Sequence, residues 1–165
     1  MMERKMRRFK QLLSEDAAKE ILMTATNGVL SLVDPDGCPY GVPVSFAYDG
    51  SGHIYFHSAV NGHKIDCIGS DSRCSFCVVG QDMIVPEEFT SYFRSVIVRG
   101  NVYIMTAQDE IMKGLLLLCE KYSPGIDSDG EISKCLRHVT VLRLDIEEIS
   151  GKEAIELVLL RNQTE

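Results

Sequence analysis

The stretch GVLSLVDPDGCPYGVPVSFAYDGSGHIYFHSAVNGHKIDCI, residues 28–68, contains the pattern that decides the fold. Three runs rich in β-branched and aromatic residues occupy 28–33, 42–48 and 54–59, and turns dense in Asp, Pro and Gly separate them. Turns this short join antiparallel strands, because parallel strands need a crossover of about a dozen residues or more. The stretch therefore predicts an antiparallel meander that leads into a short helix over 61–69.

Two longer helices are predicted on either side of this stretch. Ser14 begins the first, which runs to about Ala25 with apolar residues at helical spacing. The second covers 106–122, where Thr106 is the expected N-cap, acidic residues follow in the first turn, and leucines form one face. Both helices interrupt a chain that otherwise has the pattern of strands.

The remaining segments complete a mainly β protein. Three further strands are predicted, over 73–80, 90–105 and 138–150. Gly100 predicts a bulge or bend within the longest of them. The polar stretches 81–89 and 123–133 are predicted as loops. The last residues, 156–165, are predicted as a fraying, charged tail. The sequence thus predicts one domain, residues 1–155, built as an antiparallel β-barrel of about six strands with inserted peripheral helices.

Charge and hydropathy narrow the classes of partner. The 165-residue chain has a net charge of −7, and segment 3–10 holds five basic residues and one acidic residue. The other residues therefore hold 12 basic and 23 acidic side chains, a net of −11, which would repel a polyanion such as DNA. The longest apolar run, 114–119, is too short to span a bilayer, and the basic start is a poor signal peptide. We expect no nucleic-acid or membrane partner and a cytoplasmic location.

Six cysteines are present, and CSFC at 74–77 has the spacing of half a zinc site. No second CxxC or HxxxH pair completes it. The motif also lies in a predicted strand, where residues three apart point to opposite faces. We therefore expect buried free thiols and no metal site.

The strand-to-helix junction over 58–64 has the groups that a phosphate monoester site needs. A helix start directs backbone N–H groups and partial positive charge at one point, and Gly62 permits close approach. Ser58 can donate a hydroxyl, and Lys64 supplies a full positive charge. The alternative is an ordinary helix start with a solvated Lys64. His57, which shares a strand face with Tyr55, is either a ligand-facing residue or an ordinary strand histidine.

The order of these motifs resembles the flavin-binding split-barrel proteins of the pyridoxamine-phosphate-oxidase-like superfamily, and in particular the nitroimidazole-resistance (Nim) branch. The matching pieces are GVLSLV, the strand pair GxPYxVPVSFxY, IYFHSAxxGHKIDxI and, later, YFRSVIVRGNVYIM. The resemblance implies a homodimeric split barrel that holds FMN in grooves between its two subunits. It also implies positions for the cofactor: the ring along Pro43, Val44 and Ser45, the ribityl phosphate at His57, Ser58, His63 and Lys64, and the flavin tail near Ser95 and Val96.

The resemblance further implies an FMN-dependent oxidoreductase acting on a small molecule, in which a nitroaromatic ring is reduced and His57 donates a proton or hydrogen bond. Several alternatives stay open. One is a pyridoxamine-phosphate-oxidase-like enzyme with another substrate. True pyridoxamine-phosphate oxidase activity would need a second basic cluster for the substrate phosphate, but only scattered arginines, Arg94, Arg99 and Arg137, are present. The chain could also be a flavin carrier or sensor without turnover, a barrel without cofactor, or a deazaflavin or haem protein. The sequence specifies neither the physiological substrate nor the electron donor.

Overall fold

The computed structural model describes residues 6–136 and 138–164, which form seven strands and five α-helices. The strands are β1 (Asn27–Val33), β2 (Pro39–Ser45), β3 (Ala47–Tyr48), β4 (His53–Ala59), β5 (Arg73–Val85), β6 (Thr90–Ile104) and β7 (Val139–Glu153). The helices are α1 (Glu15–Thr24), α2 (His63–Ser70), α3 (Gln108–Tyr122), α4 (Asp129–Cys135) and α5 (Ile155–Thr164). No helix in the described ranges is both long and apolar enough to cross a bilayer.

All seven strands form one antiparallel sheet in the order β2-β1-β5-β6-β7-β4-β3. The two strands at its ends, β2 and β3, are separated in the chain only by Phe46. The predicted strand over 42–48 therefore bends at Phe46, so that its first half pairs with β1 and its second half with β4. The sheet curls back on itself without closing by hydrogen bonds, which confirms the mainly β class and is consistent with a split barrel.

The core lies on the inner face of this curled sheet. Phe76 packs edge-to-face against Phe46 and Phe56, with ring centroids 4.8 and 5.2 Å apart, and all three are fully buried. Along β1, exposed and buried residues alternate, as expected for a strand with one face on the core. Each fully buried aromatic or aliphatic side chain contributes about 1.5–3 kcal/mol by leaving water.

Helix α1 begins directly after Ser14, as the sequence predicted, and packs against β5, β6 and β7. The Ser14 hydroxyl caps it by accepting a hydrogen bond from the Ala17 N–H at 3.2 Å. A Cβ added at Gly151 would lie 2.9 Å from the Leu13 side chain and 3.1 Å from Ala18. Glycine at this position in β7 therefore lets the helix approach the sheet closely.

The prediction of a loop over 81–89 is wrong for most of that range. Strand β5 continues to Val85 and pairs with β6 from Gln81↔Arg94 to Val85↔Thr90, and a short 3₁₀ turn, Pro86–Glu88, closes the hairpin. Backbone pairing with β6 satisfies the polar groups of a stretch that looks like a loop by composition. The predicted irregularity at Gly100 is confirmed, because the β6–β7 register shifts between Arg99 and Gly100.

The helical predictions near the C-terminus need three corrections. Helix α3 has Ala107 as its N-cap, without a side-chain capping bond, so Thr106 is not the cap. The predicted loop over 123–133 contains the start of α4. The expected tail over 156–165 forms α5 as far as residue 164, where the buried Val158 anchors it.

The cysteines are free thiols, but the expectation that they are buried holds only for Cys67. Cys38 is exposed and the other four are half-buried. Cys74 packs against the core, donates its thiol to the Gly100 carbonyl at 3.5 Å, and has its pKa raised by burial to about 12. Cys77 lies on the opposite, outer face of β5, as the strand geometry predicted.

Candidate ligand-binding site

The junction between β4 and α2 presents an uncapped helix start. Gly62 has φ 131°, a conformation that side chains rarely adopt, and it precedes the first helical residue. The Gly62 carbonyl accepts the first helical bonds, from Ile65 N at 2.8 Å and Asp66 N at 3.2 Å. No side chain caps this end, so the N–H groups of His63 and Lys64 point out of the helix without a helical partner.

Lys64 and Ser58 are the two polar side chains that this junction offers to an anion. Lys64 is half-buried, and this burial lowers the pKa of its ammonium group. Ser58 is only 8% exposed. Within the described ranges, neither the Lys64 ammonium nor the Ser58 hydroxyl has an ion-pair or hydrogen-bond partner. An anion would supply what both groups lack.

His63 is turned toward the β1–β2 turn. Its Nε2 lies 3.3 Å from a carboxylate oxygen of Asp34, and its ring packs edge-on against Tyr40 with centroids 4.6 Å apart. These contacts hold the imidazole on one side of the helix start. An anion at the junction would compete with Asp34 for this histidine.

Strand β2 contributes an exposed edge and an exposed face. Pro43 and Ser45 point outward, whereas Val44 packs against the core. As an end strand of the sheet, β2 has one edge whose backbone groups no other described strand pairs. The strand register places four outward-facing residues in one row across the sheet: Pro43, Val29, Cys77 and Ile97. Two of them are exposed apolar side chains, Val29 at 41% and Ile97 at 45%. We call this row the outer stripe.

Within one chain, Ser95 and Val96 lie far from the β4–α2 junction. Ser95 is opposite Lys152 on β7, whereas Ser58 is opposite Thr140 on the same strand. Twelve positions along an extended strand correspond to roughly 40 Å. The Val96 side chain is fully buried in the core, so only its backbone could meet a ligand. The chain alone does not bring all of the predicted site residues together.

His57 is exposed and lies in a cavity that Ser45 also lines. This cavity, of about 360 Å³, is covered by α3 and α4, and we call it the α3–α4 cavity. Its other lining residues include Leu118, Tyr122, Glu131 and Cys135. The residue pattern gave no signal for these four as site residues: two belong to the predicted helix over 106–122, Glu131 falls in a predicted loop, and Cys135 is one of the thiols expected to be buried.

Tyr122 fixes the β2–β3 bend beside this cavity. Its hydroxyl accepts a hydrogen bond from the Phe46 N–H at 2.9 Å and faces the carbonyls of Phe46 and Thr26 as acceptors. These backbone groups belong to the point where the edge strand changes partners. The last turn of α3 therefore sets the position of Ser45 relative to His57.

The architecture defines a split β-barrel protein with helices packed on its outside. Residues 14–153 match the model of the pyridoxamine 5'-phosphate oxidase family, and the chain belongs to this family. No curated protein sequence matches the chain.

Solved structures share the fold over most of the chain. A candidate 5-nitroimidazole antibiotic resistance protein from Bacteroides thetaiotaomicron aligns with a TM-score of 0.74 and 21% identity over 86% of each chain. A FAD-binding protein from Mesorhizobium loti aligns with a TM-score of 0.61 and 26% identity, over 87% of this chain and 97% of that one. A FAD- and haem-binding protein from Mycobacterium smegmatis aligns with a TM-score of 0.72 and 20% identity, over 88% and 73%.

Proposed function

We propose that this protein is an FMN-dependent oxidoreductase that reduces nitroaromatic compounds of the 5-nitroimidazole kind. FMN, when bound, supplies hydride or single-electron transfer through its ring. The residues of this chain would bind the phosphate, provide an apolar surface for the ring, and direct a proton donor at the substrate.

The observation that carries the proposal is the pair of unpartnered groups at the β4–α2 junction. A half-buried ammonium group that burial has made less basic, beside an uncapped helix start, is costly unless an anion binds there. One lysine, one hydroxyl and two backbone N–H groups suit a single phosphate monoester. FMN ends in such a group, and this is the reason for preferring it to the dinucleotide FAD.

The outer stripe is an argument for placing both the flavin ring and a second subunit on the same face of the sheet. Val29 and Ile97 are exposed apolar residues in the middle of a sheet, and the free edge of β2 offers backbone donors and acceptors for the polar edge of a ring. The distance between Ser58 and Ser95 also favours a dimer, because a second copy could bring Ser95 to the junction of the first. We therefore propose a homodimer with FMN at the subunit interface.

His57 is the proposed catalytic residue. Its exposed imidazole has no hydrogen-bond partner in the part of the chain that the structure describes, so it is free to donate to a bound ligand. A donor at this position would stabilise negative charge as it develops on a nitro group.

The first experiment is a visible absorption spectrum of the purified protein, with heat release and chromatographic identification of the chromophore. We expect flavin bands and the release of FMN. FAD, a deazaflavin or haem would replace the proposed cofactor, and a colourless protein that does not bind added FMN would contradict the proposal.

Lys64→Ala tests the phosphate site. Loss of a charged hydrogen bond should weaken FMN binding by about 1.5–3 kcal/mol, which corresponds to a roughly 10- to 150-fold higher Kd. Fluorescence titration of the apoprotein measures this Kd. Lys19→Ala, which removes the same charge from the exposed face of α1, is the matched control and should leave Kd unchanged. Equal affinities in the two variants would place the phosphate elsewhere.

Nitro-reduction assays of the wild type and of His57→Ala test whether the protein is an enzyme and whether His57 takes part in catalysis. The variant should bind FMN like the wild type but reduce a nitroimidazole at least tenfold more slowly, in steady-state assays with NADH and NADPH. Wild-type protein that binds FMN and shows no turnover with either donor supports a flavin carrier. Unchanged turnover in His57→Ala removes this residue from the mechanism.

A further inference from the structure

The α3–α4 cavity is separate from the phosphate site at the β4–α2 junction, yet it includes His57. None of Leu118, Tyr122, Glu131 and Cys135, which come from α3 and α4, belongs to the junction. Ligand cavities in proteins span roughly 300–1,000 Å³, so a volume of about 360 Å³ suits a molecule with one aromatic ring.

The lining of the cavity discriminates by charge. Leucine, isoleucine and valine side chains form much of its wall, and none of its lining residues within the described ranges is a lysine or an arginine. Glu131 is one of the lining residues; it accepts a hydrogen bond from the Cys135 thiol at 3.4 Å, and the Lys134 ammonium lies 3.9 Å away. Glu131 and Lys134 are both largely solvent-exposed, so their charges act weakly on a ligand.

We propose that the α3–α4 cavity is the substrate site, and that it takes a neutral or cationic monocyclic nitroaromatic and rejects anionic ones. The inference rests on the proposed function and specifies its substrate class. A carboxylate or phosphate in this cavity would lose its water, and no described lining residue offers it a cationic partner. A neutral ring would keep its apolar contacts, with its nitro group toward His57 and Ser45. We therefore expect this site to bind phosphorylated pyridoxamine poorly.

Three probes of matched size isolate the charge: 4-nitrobenzyl alcohol, 4-nitrobenzylamine and 4-nitrobenzoate. We measure their binding to the oxidised protein as purified by isothermal titration calorimetry, which requires no turnover. We expect the alcohol to bind, the amine to bind up to about fivefold more tightly, and the benzoate to bind at least tenfold more weakly than the alcohol. Equal affinity for benzoate and alcohol would overturn the proposal.

Two pairs of variants locate the binding. Cys135→Phe should fill the cavity and weaken binding of the alcohol at least tenfold. Ser133→Phe, on the exposed part of the same helix, should change the affinity for the alcohol less than twofold. Glu131→Gln should abolish the preference for the amine, whereas Glu120→Gln, an exposed carboxylate of α3 outside the cavity, should retain it. Alcohol affinity that is unchanged in Cys135→Phe would overturn the proposal.

The flavin content of each variant separates this inference from the proposed function. Cys135→Phe should keep its flavin, so its loss of the flavin would assign the cavity to the cofactor and overturn the substrate assignment. Wild-type protein without flavin that still binds the alcohol and rejects the benzoate would contradict the proposed cofactor while supporting the cavity. Protein that contains FMN but binds none of the three probes would overturn the cavity and leave the cofactor proposal intact.

Discussion

Asp49 shows how one buried carboxylate organises the turn between β3 and β4. Its side chain is 3% exposed and accepts hydrogen bonds from the N–H groups of Ser51 and His53, at 2.9 and 3.0 Å, and from the Lys113 ammonium group at 3.1 Å. Burial by itself would raise the pKa of this carboxyl group, but its hydrogen bonds with Ser51 and His53, including the His53 ring at 2.9 Å, outweigh it and hold the pKa well below its usual range. The turn therefore depends on the ionised form.

Asp49→Asn should reduce the free energy of unfolding by about 1–3 kcal/mol at pH 7, because an amide cannot replace the charged acceptor. Since the folded-state pKa lies below the unfolded value, the contribution of Asp49 is complete above the unfolded pKa of about 4 and is lost as the pH falls through the folded value. The difference between wild type and variant should therefore narrow below about pH 4 in urea unfolding. Asp36→Asn, at the exposed β1–β2 turn, should show no such difference.

Strands β6 and β7 show how a single residue sets the geometry of a whole element. A Cβ added at Gly100 would lie 2.0 Å from the Asp145 carbonyl oxygen, a backbone atom of the neighbouring strand. The register shift between the two strands occurs at this point. Glycine therefore permits the close approach through which the paired strands β6 and β7 bend around the core.

Gly100→Ala should destabilise the protein by about 1–3 kcal/mol, because the paired backbone must move to admit the methyl group. Thermal and urea unfolding measure the loss. Gly130→Ala is the matched control: nothing lies within 4 Å of the added Cβ in α4, and alanine favours helix by up to about 1 kcal/mol. Equal stability of Gly100→Ala and wild type would show that the sheet tolerates a side chain at the bulge.

At the scale of the whole molecule, the exposed outer stripe is the feature that a single chain does not explain. Exposed apolar side chains in a row that crosses four strands are costly in water, and a second subunit would cover them. The proposed FMN site spans the same face. Oligomeric state and cofactor binding should therefore change together.

Ile97→Glu should convert the dimer to a monomer, because a buried carboxylate at the interface would have no partner. Light scattering after gel filtration should give about 37 kDa for the wild type, twice the chain mass of 18.4 kDa, and half that value for the variant. The variant should also lose FMN. Leu116→Glu, which places the same charge on an exposed apolar residue of α3, should remain dimeric. A wild-type monomer at micromolar concentration would contradict the proposed interface.

Much of the fold could be predicted because strands with one buried face alternate clearly in sequence. The alternation of β1, the helix start at Ser14 and the bulge at Gly100 are local signals, and each is confirmed. The extension of β5 and the helix α4 were missed, because their composition is that of loops. Their stability comes from pairing with β6 and from packing of Ile132 against the α3 side of the sheet.

The sequence by itself determined the fold class, the strand-to-helix junction at Ser58–Lys64 and the identity of the groups that could hold a phosphate. These follow from neighbours in the chain, whose spacing is visible in the residues. Only the tertiary structure decided that Lys64 and Ser58 have no partner among the described residues, that Ser95 lies far from them, and that residues of α3 and α4 line a cavity at His57. Such properties depend on contacts between residues distant in sequence, which the curling of the sheet creates and no local pattern encodes.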